Sequence, residues 1–114
     1  LGCAQLENIE QYIDDKRATA EAYKSFFASM DGVELVIEPT NSRSNYWLNA
    51  VILSDKQAQQ DFLEYTNNHG VMTRPIWELM NRLPMFAHCQ HDGLEMTQWL
   101  ADRVVNIPSS VRMI

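Results

Sequence analysis

The stretch that decides the fold is residues 46–53, Tyr-Trp-Leu-Asn-Ala-Val-Ile-Leu. It is rich in aromatic and β-branched residues and carries no charged side chain. Such residues fit a pleated surface, and a strand without charges is typical of one that is buried on both faces. We therefore predict that residues 46–53 form the central strand of a sheet.

A helix is predicted directly after this strand, over residues 56–68. Ser54 or Asp55 can cap its first turn, and Gly70 can adopt the positive φ that ends it. Residues 71–73 are then predicted to form a short strand that pairs beside residues 46–53, before Pro75 interrupts the hydrogen-bond ladder.

A long amphipathic helix is predicted at the other end of the chain, over residues 6–30. Charged side chains lie mostly off its apolar stripe, where Arg17 and Glu21 are placed to pair across one turn. Residues 33–37 are predicted to form a short strand, and the polar residues 40–45 a loop. The stripe has a three-four spacing that only Lys16 interrupts, and its members are Leu6, Ile9, Ile13, Ala20, Tyr23, Phe27 and Met30.

The last third of the chain completes an α+β fold. Residues 76–86 are predicted to form a short helix or a packed loop, residues 94–102 a helix and residues 104–107 a final strand. A length of 114 residues corresponds to one domain. We expect three or four strands, mostly antiparallel, with helices on one face of the sheet.

Charge and composition exclude several classes of function. A formal net charge of −6 is the wrong sign for a protein that binds nucleic acid along a broad face. No apolar stretch approaches the roughly 20 residues that span a bilayer, so no membrane partner is expected. Cys3 and Cys89 are expected to be free thiols, which favours a cytoplasmic protein. The chain begins with Leu1 rather than methionine, and we expect a piece of a longer protein.

The loop of residues 88–91, His-Cys-Gln-His, raises the question of a metal site. Its spacing does not match the paired knuckles of zinc sites, and we expect a solvated loop and no metal. The methionines are predicted to fill the core rather than to form a binding surface. They are Met30, Met72, Met80, Met85, Met96 and Met113.

Arg74 and Trp77 are the strongest candidates for a binding site. A strand that ends at Thr73 would place Arg74 at its tip, with Pro75 fixing the backbone there. The planar guanidinium of arginine suits a carboxylate or a phosphate, and a tryptophan offers an apolar face to a sugar or a base. A surface arginine and a core tryptophan remain the alternative at this point.

The order of several sequence blocks resembles the C-terminal small domain of the DegT/DnrJ/EryC1/StrS sugar aminotransferases. The blocks lie at residues 1–7, 16–23, 45–49, 70–77, 83–86 and 105–110, so the resemblance covers essentially the whole chain. Residues 70–77 and 106–110 look most like the branch that aminates UDP-linked 4-keto-6-deoxy-N-acetylhexosamines, as in bacillosamine and legionaminic acid pathways.

The resemblance implies a pyridoxal-phosphate enzyme of fold type I. Such an enzyme transfers an amino group, usually from glutamate, to a nucleotide-linked keto sugar, and it is expected to be a homodimer. Residues 1–114 would be its small domain, and the large cofactor-binding domain would lie outside this chain. None of the three lysines, Lys16, Lys24 and Lys56, corresponds to the lysine that binds the cofactor in this family. The chain alone is therefore expected to bind no cofactor and to be inactive.

The resemblance also implies that the small domain forms one wall of the substrate pocket. The residues expected to contact the nucleotide sugar there are Arg74, Trp77, Asn45 and Asn81. Two alternatives remain open: a non-catalytic α+β module that binds a small molecule, and a dimerisation module led by the first helix.

Overall fold

The computed structural model describes residues 1–112. Two 3₁₀ helices, Met80–Arg82 and Pro84–Phe86, lie between its third strand and its last helix. The helices are α1 (Gly2–Leu6), α2 (Ile9–Phe27), α3 (Lys56–Asn68) and α4 (Glu95–Ala101), and the strands are β1 (Val33–Leu35), β2 (Asn49–Leu53), β3 (Arg74–Pro75) and β4 (Val104–Ile107).

The strands form one sheet with the order β1-β2-β4-β3, and every neighbouring pair is antiparallel. Val51 lies opposite Val105 at the centre, where β2 pairs with β4. Both of these side chains are fully buried. The predicted α+β class with a mostly antiparallel sheet is therefore confirmed, with four strands in the described part of the chain.

The core lies on one face of this sheet. Because Leu35 opposes Val51 and Val51 opposes Val105, their side chains share that face. Helices α2 and α3 both cover it, as the prediction of helices on one face required. The side chains packed against the buried cluster are Tyr23, Phe27, Val33, Ala58, Phe62 and Leu63.

Helix α3 begins and ends at the predicted residues, and its caps explain why. The Asp55 carboxylate accepts a hydrogen bond from the Ala58 amide at 2.9 Å. This bond lowers the pKa of Asp55. Gly70 has a φ of 77°, a left-handed conformation that ends the helix without steric cost.

The N-terminal helix and the first two strands are shorter than predicted. The single helix over residues 6–30 is wrong, because α1 ends at Leu6 and the separate α2 runs from Ile9 to Phe27. The predicted strand over residues 33–37 ends at Leu35. The strand over residues 46–53 begins only at Asn49, and burial alternates along it instead of covering both faces.

The predicted strand over residues 71–73 is also wrong. The sheet strand is Arg74–Pro75, and it pairs with β4 rather than with β2. The physical reason is that β1 and β4 already occupy both edges of β2. Proline is tolerated in β3 because this strand lies at the edge of the sheet.

The chain exposes more surface than a compact domain of its size. Its accessible area is 8624 Å², whereas about 6,400 Å² is expected for a compact monomer of this mass. Its radius of gyration is 16.5 Å, against about 13 Å for a compact domain of this length. The chain is therefore less compact than a typical domain of its length.

The exposed methionines are part of this excess surface. The prediction that they fill the core is wrong, because the side chains of Met72 and Met96 are both 67% exposed and those of Met30, Met80 and Met85 are also exposed. Met113 lies outside the described residues. Within residues 1–112 the structure has no helix with the length and apolar character needed to span a membrane.

Candidate binding cleft

A cleft of about 660 Å³ opens where β3 meets the end of β4. Among the described residues that line it, Arg74 alone carries a charge, and the remaining lining is mostly apolar. A mostly apolar cleft with a few polar groups is the usual form of a small-molecule site. The lining residues are Leu48, Met72, Arg74, Pro75, Trp77, Asn106, Ile107, Pro108, Ser109 and Ser110.

Arg74 presents most of its hydrogen-bond donors to this cleft or to solvent. Its Nη1 donates to the Thr73 carbonyl oxygen at 3.2 Å and to the Asn67 side-chain oxygen at 3.4 Å. None of the ion pairs within residues 1–112 involves Arg74. Because a guanidinium carries five donors, the remaining ones can bind an anion.

A buried polar network fixes the backbone that leads to Arg74. Thr73 is 1% exposed, and its hydroxyl lies 2.6 Å from the Thr66 hydroxyl. The Asn67 side-chain nitrogen donates to the hydroxyl and to the carbonyl oxygen of Thr73, at 2.9 and 3.2 Å. The end of α3 therefore places Arg74 in position. No sequence signal pointed to Asn67, because these contacts form only after the chain turns at Gly70.

Trp77 stacks on Trp47 at the mouth of the cleft. The ring centroids are 6.4 Å apart and the planes lie 26° from parallel. The two residues are 70% and 65% exposed, so Trp77 is not a core tryptophan. Trp47 comes from the loop before β2 and was not among the predicted site residues. The pair forms an exposed aromatic surface beside Arg74.

Asn45 and Asn81 lie apart from the lining of this cleft. The Asn45 side-chain oxygen accepts a hydrogen bond from the Trp47 amide at 3.0 Å, and so shapes the turn that presents Trp47. Asn81 lines a separate cavity of about 260 Å³ together with Cys89 and His91. Its side-chain oxygen is buried without a hydrogen-bond partner in the described part of the chain. The structure thus brings Arg74 and Trp77 together, and leaves Asn81 in a separate cavity.

Helix α2 holds the loop that carries Trp47. The Arg17 guanidinium binds both oxygens of the Glu38 carboxylate, at 3.0 and 2.8 Å, and donates to the Ser44 carbonyl oxygen at 2.7 Å. The predicted pairing of Arg17 with Glu21 is therefore wrong. Tyr46, which has a φ of 45°, lies under the same guanidinium, 5.5 Å from ring centroid to Cζ. These contacts keep the loop in a conformation that a tyrosine rarely adopts.

Glu38 is the most strongly perturbed acid of the described chain. The hydrogen bonds from Arg17, and then from the Ser44 amide at 2.7 Å, lower the pKa of Glu38 to about 2. A carboxylate held by a bidentate arginine and a backbone amide is favoured in its charged form.

The stabilising effect of Glu38 should disappear in acid. Because its pKa in the folded chain lies below the ordinary value of 4.5, the unfolded chain takes up this proton first as the pH falls. The effect is complete above about pH 4.5 and is lost on the way down to about pH 2. Thermal unfolding of the wild-type chain and of Glu38→Gln across this range should show a gap in midpoint that closes in acid. The midpoint gap between Glu38 and Glu38→Gln should also be smaller in an Arg17→Met background. A gap that stays constant across the pH range would contradict the ion pair.

None of the three lysines of the chain is among the described residues that line the cleft. Lys24 lies 3.8 Å from Glu21 and Lys56 lies 3.4 Å from Asp102, measured from nitrogen to carboxylate oxygen. Lys16 donates to the carbonyl oxygens of Trp47 and Ser109. Lys16, which interrupts the predicted apolar stripe, is half-buried.

No metal centre is found in the part of the chain that the structure describes. Residues 1–112 contain no group of three or more histidine, cysteine, aspartate or glutamate side chains placed to hold an ion. Cys3 and Cys89 are exposed and unpaired.

Comparison with known proteins gives consistent matches over the whole length. The model of the "DegT/DnrJ/EryC1/StrS aminotransferase family" matches residues 1–114. The chain is 28% identical over 112 residues to GDP-perosamine synthase of Vibrio cholerae. This match covers 96% of this chain and 30% of that protein. It is 25% identical over 117 residues to EpsN of Bacillus subtilis (strain 168), named as a pyridoxal phosphate-dependent aminotransferase, covering 99% of this chain and 30% of EpsN.

The fold is shared with solved structures as well. The structure of DesI in the presence of its TDP-sugar product superposes with a TM-score of 0.87 at 23% identity, over all of this chain and 30% of DesI. This likeness supports the fold alone. The chain spans about 30% of the length of the curated relatives it matches.

Proposed function

The chain belongs to the DegT/DnrJ/EryC1/StrS aminotransferase family, and on that basis we propose that residues 1–114 are the C-terminal small domain of a pyridoxal-phosphate-dependent sugar aminotransferase. The whole protein transfers an amino group from glutamate to a nucleotide-linked 4-keto-6-deoxy sugar. This domain supplies one wall of the substrate pocket, and the protein works as a homodimer in the cytoplasm.

The observation that carries this proposal is the cleft in which Arg74 lies beside Trp77. A nucleotide sugar has a negatively charged diphosphate between two rings. The unpaired donors of Arg74 suit the diphosphate, and the exposed rings of Trp77 and Trp47 suit the flat apolar face of a sugar or a base. Asn45 supports this surface through the Trp47 turn, and we propose that Asn81 contacts the substrate from its separate cavity.

The excess surface of the chain supports its role as one part of a larger enzyme. Exposed apolar side chains such as Met72 and Val71, which are 67% and 44% exposed, are costly to leave in water. We propose that the large domain of the same protein covers much of this surface and closes the cleft.

The cofactor would be held by residues outside this chain. Pyridoxal phosphate needs a lysine that can reach its aldehyde, and Lys16, Lys24 and Lys56 are bound to other groups and line no part of the cleft. The residues present therefore do not fit the cofactor by themselves. We expect the isolated chain to be inactive.

The substrate branch separates into two candidates. The sequence blocks favour a UDP-linked 4-keto-6-deoxy-N-acetylhexosamine, whereas two of the relatives are named GDP-perosamine synthases. Both candidates contain a diphosphate that suits Arg74, and they differ in the base and in the sugar.

An assay of the full-length protein tests this proposal. With pyridoxal phosphate and glutamate, we expect amination of a UDP-linked or a GDP-linked 4-keto-6-deoxy sugar, together with the visible absorbance of lysine-bound cofactor. The isolated chain should give neither signal. Absence of cofactor absorbance in the full-length protein, or cofactor binding without amination of either sugar, would contradict the proposal and favour a non-catalytic binding module.

A further inference from the structure

A single ammonium group joins the two chain segments that flank the cleft. Lys16 Nζ donates to the carbonyl oxygen of Trp47 at 3.4 Å and to that of Ser109. Trp47 lies just before β2, and Ser109 lies just after β4. Because Asn49 opposes Ile107 at this end of the sheet, the two segments leave the sheet side by side.

Both segments supply walls of the cleft. The one before β2 carries Leu48, which lines the cleft, and Trp47, which stacks on Trp77. The one after β4 contributes Ser109 and its neighbours to the lining. The position of Lys16 therefore influences how far apart the two walls lie.

The two segments differ in how else they are held. The Ser109 hydroxyl accepts a hydrogen bond from the Asn49 amide at 2.7 Å, and Tyr23 donates to the Pro108 carbonyl oxygen at 2.9 Å. The Trp47 amide donates to the Asn45 side-chain oxygen within its own loop, and the Trp47 carbonyl oxygen accepts from Lys16. The wall after β4 is thus anchored by β2 and α2, and Lys16 adds a direct link from this wall to the Trp47 backbone.

The charge of Lys16 is directed at these carbonyls. None of the ion pairs within residues 1–112 involves it, although the chain carries a net charge of −6. Hydrogen bonds from a charged donor are stronger than those between neutral groups. A neutral side chain of the same length would fill the space and lose the tether.

We propose that Lys16 is a positioning residue of the substrate cleft: it fixes the spacing between the Trp47 wall and the Ser109 wall, and thereby holds Trp47 in its stack on Trp77. This inference rests on the proposed function for its effect on catalysis, and on the geometry alone for its effect on the stack. Lys16 touches no substrate in this account, so it acts on binding rather than on the chemical step.

The experiment compares Lys16→Met, Lys16→Gln and Lys16→Arg in the full-length protein. Lys24→Met is the matched control, because Lys24 lies on the same helix and pairs with the exposed Glu21. The first measurement is the exciton-coupled circular dichroism of the Trp47–Trp77 stack, defined as the signal that Trp77→Phe removes. The second is the pair of constants KM and kcat for the nucleotide keto sugar.

We expect Lys16→Met and Lys16→Gln to lose most of the stacking signal, Lys16→Arg to retain it and Lys24→Met to leave it unchanged. KM should rise about tenfold in the two neutral variants, the loss typical of one charge-assisted hydrogen bond, with kcat nearly constant. Two neutral variants are used so that poor folding of one leaves the other to decide.

A stacking signal that survives in a folded neutral variant, or one that falls equally in Lys24→Met, would overturn the inference. A fall in kcat of the neutral Lys16 variants with KM unchanged would also overturn it. If the full-length protein aminates no sugar, the proposed function fails, whereas the circular dichroism still decides whether Lys16 holds the stack.

Discussion

Replacing Leu53 by alanine is expected to lower the free energy of unfolding of the chain by about 2 to 5 kcal/mol. Leu53 is 5% exposed and belongs to the cluster between the sheet and helices α2 and α3. The substitution removes buried apolar atoms and leaves a cavity that the rigid strand β2 cannot fill. Because the chain exposes more surface than a compact domain, such a loss takes a large part of its stability.

Urea unfolding followed by circular dichroism measures this effect. Leu6→Ala is the matched control, because it makes the same chemical change at a side chain that is 68% exposed. The control should change the free energy of unfolding by no more than about 0.5 kcal/mol. Equal effects of the two substitutions would contradict the described core.

Replacing Arg74 by glutamine is expected to weaken binding of a nucleotide sugar to the full-length protein by about 10- to 100-fold. The substitution removes the one charge among the described residues that line the cleft. Glutamine keeps a donor of similar reach but loses both the charge and the planar fork that matches a phosphate. Arg74→Lys should therefore fall between the wild type and Arg74→Gln.

Isothermal titration calorimetry at two salt concentrations measures the Arg74 effect. The difference between wild type and Arg74→Gln should shrink as salt is raised, since exposed charges are screened. Arg82→Gln is the control, because Arg82 pairs with Glu78 at 3.5 Å and does not line the cleft. Equal affinities of wild type and Arg74→Gln would remove Arg74 from the site.

The elements that the sequence predicted well have local end signals. Helix α3 is bounded by the Asp55 cap and by Gly70, and β4 ends where Pro108 follows it. These signals act within a few residues, so they can be identified without knowledge of the rest of the fold.

The errors arose where distant contacts override local preference. Residues 46–48 have the composition of a strand, yet Tyr46 is left-handed and the segment is held by Arg17 and Lys16 from α2. The pairing of β3 depends in the same way on which strand edges remain open. Neither outcome can be derived from local composition.

Only part of the candidate site was predicted, because distant contacts also complete the site. Arg74 and Trp77 are close in sequence, and both line the same cleft. Trp47 joins them only through the tertiary fold, so its place in the stack gave no local signal. The methionines were misjudged because the prediction assumed that this chain buries its own apolar side chains, whereas Met72 and Met96 lie on exposed surface.

A crystal structure of the full-length protein with a bound nucleotide sugar would locate the diphosphate relative to Arg74. We expect the diphosphate to lie within hydrogen-bonding distance of the Arg74 guanidinium, with a sugar or base ring against the Trp47–Trp77 surface. A nucleotide sugar bound elsewhere, with Arg74 and Trp77 covered by the large domain and out of its reach, would contradict a substrate site at this cleft.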